Sequence, residues 1–120
     1  MNSNSRPLSV TILAWIYIAV GVIGAIGHGS EFAAGRVFHS DVIWIELTEF
    51  AAILCGAFIL KGQNWARWLA LAWIAFHVIL SAFHAFPEFA IHCAFCAVIA
   101  WFLFRPPAAR YFRGTRIEPA

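Results

Sequence analysis

Residues 8–28 read LSVTILAWIYIAVGVIGAIGH, an unbroken stretch with no lysine, arginine, aspartate or glutamate. Crossing the hydrocarbon core of a bilayer takes about 20 helical residues, and this stretch is that long. Three more apolar runs follow: Val42–Leu60, Trp65–Phe86 and Phe89–Phe104. The last is the shortest, and Pro87 with Glu88 extends it if they form its first turn, where proline is well tolerated. None of the runs alternates apolar and polar residues as a membrane β-strand does. Backbone groups in lipid must find partners within the protein, so helices are the remaining solution. The expected fold is all-α: a four-helix transmembrane bundle forming one domain over 1–120. Its helices span about 8–28, 42–60, 65–86 and 87–104, followed by a basic tail over 105–120.

Composition supports the same class. Hydrophobic residues make up 62% of the chain, charged residues 12%, and the mean hydropathy is +0.79. Soluble domains carry roughly 25% charged residues, so this surface is too poor in charge for water. An aromatic content of 17% excludes a disordered chain. A net charge of +2, dispersed over helix ends, excludes a nucleic-acid module.

Local signals mark the boundaries. Arg6-Pro7 opens the first helix, and Gly27, Gly29 and Ser30 are expected to close it. Ser40-Asp41 reads as an N-cap. Lys61-Gly62-Gln63-Asn64 reads as a tight turn with Asn64 capping the third helix. Phe86-Pro87 separates helices three and four, and Arg105-Pro106-Pro107 ends the fourth. Short turns make helices 2–3 and 3–4 antiparallel neighbours. The first apolar run is longer than the roughly 7–15 residues of a signal-peptide core, so a retained helix is expected.

Basic residues set the orientation. Arg6, Lys61, Arg67, Arg105, Arg110, Arg113 and Arg116 fall at the N-terminus, the 2–3 turn and the C-terminus, and Arg36 alone lies in the 1–2 loop. Glu31, Asp41, Glu46, Glu49 and Glu88 belong to the opposite half, and only Glu118 joins the basic side. Both termini are therefore expected in the cytoplasm. The basic tail is expected at the inner leaflet, against anionic lipid rather than nucleic acid.

Ionisable groups within spanning helices are costly and point to function. Here they form stripes in the outer half. Tyr17, Gly21, Gly24 and His28 share a face of helix one, with Glu31 one turn on. Glu46 and Glu49 lie on helix two, His77, Ser81 and His84 on helix three, and Glu88, His92 and Cys96 on helix four. The expectation is an outward-facing pocket of Glu46, Glu49, His77, His84, Glu88 and His92, with His28 and Glu31 at its rim. The alternative is interhelical pairing with no ligand.

Three chemistries could use such a pocket. Imidazole and carboxylate suit Zn, Fe, Mn or Cu, with Glu49, His77 and His92 as the ligand set. The spacings are not the paired Glu-x-x-His of di-iron bundles. Haem could use His77, His84 or His92 axially. His92-Cys93-x-x-Cys96 is, however, the reverse of the order that attaches haem covalently. Cys93-Ala-Phe-Cys96 could exchange electrons with a quinone. A C-x-x-C in the outer half of the last helix of a four-helix bundle resembles the vitamin K epoxide reductase group. That resemblance implies thiol–quinone chemistry at Cys93 and Cys96. No second cysteine pair is present to relay electrons, because Cys55 stands alone in helix two.

Gly62-Gln63-Asn64-Trp65-Ala66-Arg67-Trp68 resembles the G-x-N-W-A-R-W turn of small four-helix inner-membrane proteins of bacteria. The likeness extends to the Arg-Pro-Leu opening, the histidine ending helix one and the Phe-Leu-Phe-Arg-Pro exit. It implies the fold and the inner membrane, and it carries no chemistry. Trp65 and Trp68 are expected in an interfacial aromatic belt, with Arg67 reaching out to headgroups. Gly21, Gly24 and Gly27 form a small-residue stripe for close helix contact, within the chain or between copies. The function expected first is a small membrane protein binding a metal ion, cofactor or small polar ligand. An accessory subunit docking a larger membrane complex and a thiol–quinone oxidoreductase are the alternatives.

Overall fold

The apolar runs all become helices in the computed structural model, which describes residues 5–35 and 40–114, with backbone alone at Phe32 and residues 40–42. The elements are α1 (Leu8–Ala33), α2 (Ser40–Leu60), α3 (Asn64–Ala82), α4 (Phe86–Phe104) and α5 (Pro106–Gly114). Four of them are long and apolar enough to cross a membrane. Their outer faces carry large exposed apolar side chains, among them Ile23, Ile26, Trp44, Ile79, Phe83 and Trp101. Water would not tolerate so much apolar surface, and a lipid bilayer does. Arg36, His39, Arg116 and Glu118 lie outside the described residues.

Consecutive helices pack as neighbours. α1 lies along α2 over the longest contact, α3 along α4, and α2 along α3, whereas α1 and α4 meet only thinly. The α1–α2 seam is close because glycines sit in it. A Cβ added at Gly56 would stand 2.4 Å from the Ala14 carbonyl oxygen, and one at Gly21 would stand 2.6 Å from that of Glu49. Gly24 faces the Glu49 carboxylate, whereas a Cβ at Gly27 would meet nothing within 4 Å. The small-residue stripe therefore works within the chain, through Gly21 and Gly24 and their counterpart Gly56. Gly27 takes no part in it.

Several boundaries differ from those expected. α1 runs on through Gly27, Gly29 and Ser30 to Ala33. Each glycine disfavours a helix by only about 1 kcal/mol, and the Ser30 hydroxyl donates within the helix to Gly27 O at 2.7 Å. Ser40 is the first residue of α2, and the side chains of Ser40 and Asp41 lie outside the described residues. Asn64 does not cap α3. The N-cap is Gln63, without a side-chain bond, and Asn64 Oδ1 is buried unpartnered.

The α2 C-terminus closes on Gly62, whose φ of 74° only glycine adopts cheaply. Its N–H donates to Ile59 O and that of Gln63 to Phe58 O, both at 3.0 Å. This paired closure satisfies two carbonyls that the helix leaves open.

The basic tail does not simply lie on the membrane. Pro106 starts α5, an amphipathic helix that buries Ala108, Ala109, Tyr111 and Phe112 against the bundle. The Tyr111 hydroxyl lies 2.9 Å from Leu60 O and 3.3 Å from Ile59 O, and Arg6 donates to Leu60 O at 2.7 Å. Arg105 donates to Ser9 Oγ at 2.8 Å. The N-terminal arm, the end of α2 and α5 are thus tied at one end of the bundle. Most of the buried side chains are found towards this end, including Val10, Leu13, Ile59, Ala66, Leu103 and Phe112.

Candidate functional site

The polar residues of the other half form two pairs joined by a tryptophan. His28 of α1 reaches Glu49 of α2, with Nδ1 to Oε1 at 2.6 Å. Nδ1 also lies 3.1 Å from Gly24 O. Both partners accept, so this nitrogen carries the hydrogen. Glu49 is buried, and its Oε2 has no partner. Gly24 makes room for the carboxylate, because any side chain there would occupy its place.

The second pair joins α3 to α4. The His77 and His92 rings lie 6.0 Å apart, centroid to centroid. Each directs Nδ1 to the carbonyl four residues back, Trp73 O and Glu88 O, both at 2.8 Å. A carbonyl only accepts, so Nδ1–H donates in both and the Nε2 lone pair of the neutral ring is left available. Trp73 links the two pairs. Its indole N–H donates to Thr48 O, next to Glu49, at 2.7 Å, and its ring packs 4.0 Å from that of His77. A belt of contacts therefore passes through all four long helices: His28, Glu49, Thr48, Trp73, His77, His92.

Other expected site residues stand apart from this belt. His84, Glu88 and Glu31 are exposed, and the His84 ring, in the turn after α3, donates from Nδ1 to Leu80 O at 2.8 Å. Glu46 is half-buried with Oε1 unpartnered. Among the described residues no three of His, Cys, Asp and Glu are gathered closely enough to hold a metal ion. Glu49, His77 and His92 thus do not form one ligand set, because Glu49 turns to α1 and the imidazoles to each other. Cys93 and Cys96 are half-buried free thiols, and Cys55 is a buried one.

Where α1 and α4 barely touch, a crevice of about 210 Å³ opens with α3 as its floor. Ile16, Tyr17 and Val20 line it from α1, Trp73 and Ile74 from α3, and His92, Phe95 and Ile99 from α4. Tyr17 is buried, donates to Ala70 O at 2.8 Å and packs its ring 5.3 Å from Trp73. Its hydroxyl is therefore already engaged. Ile16, Val20 and Phe95 are exposed at the outer margin. His92 is the ionisable group other than that tyrosine in the lining. Trp73 is not among the residues that the sequence singles out. Only its position four residues before His77 hints at its role, since that is one helical turn on the same face.

Comparison with protein families, curated proteins and solved structures gives no match.

Proposed function

We propose that the chain is a small binding protein of the bacterial inner membrane, with both termini in the cytoplasm. Its ligand is a lipid-soluble molecule with an apolar body and one hydroxyl or carbonyl head. The observation that carries this reading is the crevice, an aromatic and aliphatic slot with the His92 imidazole in its wall. Such a slot suits a flat apolar body, and a few placed polar groups orient it. With Nδ1 held by Glu88 O, His92 offers Nε2 to a ligand hydroxyl as acceptor. Protonated, the same nitrogen donates to a carbonyl. His77, stacked on Trp73, fixes the neighbouring wall. The α1–α4 gap gives access sideways from lipid.

A short-chain benzoquinol serves as the probe. Tryptophan fluorescence of the purified protein should be quenched saturably. His92→Leu should weaken binding about tenfold, the worth of one hydrogen bond near 1–1.5 kcal/mol. Equal binding by His92→Leu, or none by the parent protein, would reject the reading. Metal analysis of the same preparation should find no stoichiometric metal.

The orientation rests on the distribution of basic residues. In a background lacking Cys55, Cys93 and Cys96, Ala34→Cys should react with an impermeant maleimide on intact cells. Gln63→Cys, exposed at the α2–α3 turn, should react only after lysis. The opposite pattern would invert the topology.

A further inference from the structure

Arg67 is the most unusual charge at the basic end. It was expected to reach outward to headgroups, but it is buried, 8% exposed, beneath α5. Its guanidinium lies 4.7 Å from the Phe104 ring centroid, 5.5 Å from that of Phe112 and 6.0 Å from that of Trp68. One terminal nitrogen makes a long 3.4 Å bond to Leu103 O, and Nε, also buried, has no partner.

The described carboxylates, Glu31, Glu46, Glu49 and Glu88, all belong to the opposite half of the bundle. Instead, the residue next to Phe112, whose ring covers Arg67, is a second cation, Arg113 of α5. Arg113 is exposed, and its Nε is turned back to Ala109 O at 3.2 Å.

A buried cation with no counter-ion among the described residues is costly. Stacking on aromatic rings returns only part of that cost. A second positive charge alongside deepens the deficit. An oxyanion between the two guanidinium groups would offset it. Arg67 is the fourth residue of α3, about one helical turn from its start, a level where lipid phosphates are within reach. Guanidinium matches phosphate oxygens in charge and geometry.

We propose that Arg67 and Arg113 form a binding site for a phosphate oxyanion, supplied by an anionic membrane lipid. The site lies at the opposite end of the bundle from the His28–Glu49 pair and does not depend on the crevice. The test uses the full chain, delipidated in detergent. Phosphatidylglycerol, phosphatidylcholine and inorganic phosphate are added separately, and binding is read by native mass spectrometry and thermal shift.

Phosphatidylglycerol should bind about tenfold more tightly than phosphatidylcholine, which offers the same phosphate but carries a choline cation that two arginines repel. Arg113→Gln, at an exposed position, should remove most of that preference. Arg67→Lys, which keeps the charge and loses the planar fork that matches phosphate, should weaken the binding of both lipids. A shift from inorganic phosphate that both variants lose would keep the site and assign it to the free anion. Equal binding of the two lipids without a phosphate effect would overturn the proposal. So would an unchanged preference in Arg113→Gln, whatever Arg67→Lys does to folding.

Discussion

Gly56→Ala is expected to destabilise the protein by about 1–3 kcal/mol, the usual cost of overpacking a close-fitting core. The new methyl would press on the Ala14 backbone oxygen, and a carbonyl within a helix cannot swing aside. Gly21→Ala should behave similarly, because it meets the Glu49 carbonyl as well as the Ile53 side chain. Gly27→Ala reaches open space and should be neutral, or stabilising by up to about 1 kcal/mol through helix propensity. Unfolding in mixed micelles titrated with a denaturing detergent would rank the three. Equal losses at Gly27 and Gly56 would show that α1 and α2 do not cross where the glycines meet.

The His28–Glu49 pair gives the second large effect. His28→Leu leaves both Glu49 oxygens unpartnered, since Oε2 has no partner to begin with. A lone carboxylate within a spanning helix costs about 2.5–3.5 kcal/mol on insertion scales. The measured loss should approach that range. Adding Glu49→Gln to His28→Leu removes the charge and should restore most of the stability. His77→Leu should leave Glu49 undisturbed, so its effect and that of His28→Leu should add. A double-mutant cycle tests both statements. Strong coupling of Glu49 to His77, or none to His28, would contradict the pairing.

The spans were legible from sequence because about twenty apolar residues in a row leave few alternatives. Their ends were less so. Gly27, Gly29 and Ser30 look like a stop, yet packing overrides propensity and α1 continues to Ala33. α5 was hidden because two prolines and several arginines read as a tail. Its apolar residues, Ala108, Ala109, Tyr111 and Phe112, stand out only once the helix is known.

Among the site residues, spacing gave helix face and depth but not which way each face turns. Glu49 was accordingly grouped with His77 and His92, whereas it meets His28. Its true partner depends on how α1 rolls over Gly21 and Gly24. Arg67 illustrates the same limit. An arginine one turn into a helix beside tryptophans looks like a headgroup anchor. Only the return of α5 places Phe112 over it and buries it.

The bond from Tyr111 to the end of α2 also bears on the order of events during synthesis. Tyr111 is translated after all four long helices, and the carbonyls it engages belong to the second. The α1–α2 hairpin therefore spends the translation of some fifty residues, the interval between Leu60 and Tyr111, without that latch. The glycine seam, complete once α2 has emerged, is what can hold it meanwhile. Until then the open carbonyls of Ile59 and Leu60 have Arg6 and the Gly62 turn as partners. A chain in which α5 has not yet docked has two helical hairpins, joined through the α2–α3 turn and still without the Tyr111 latch at the basic end.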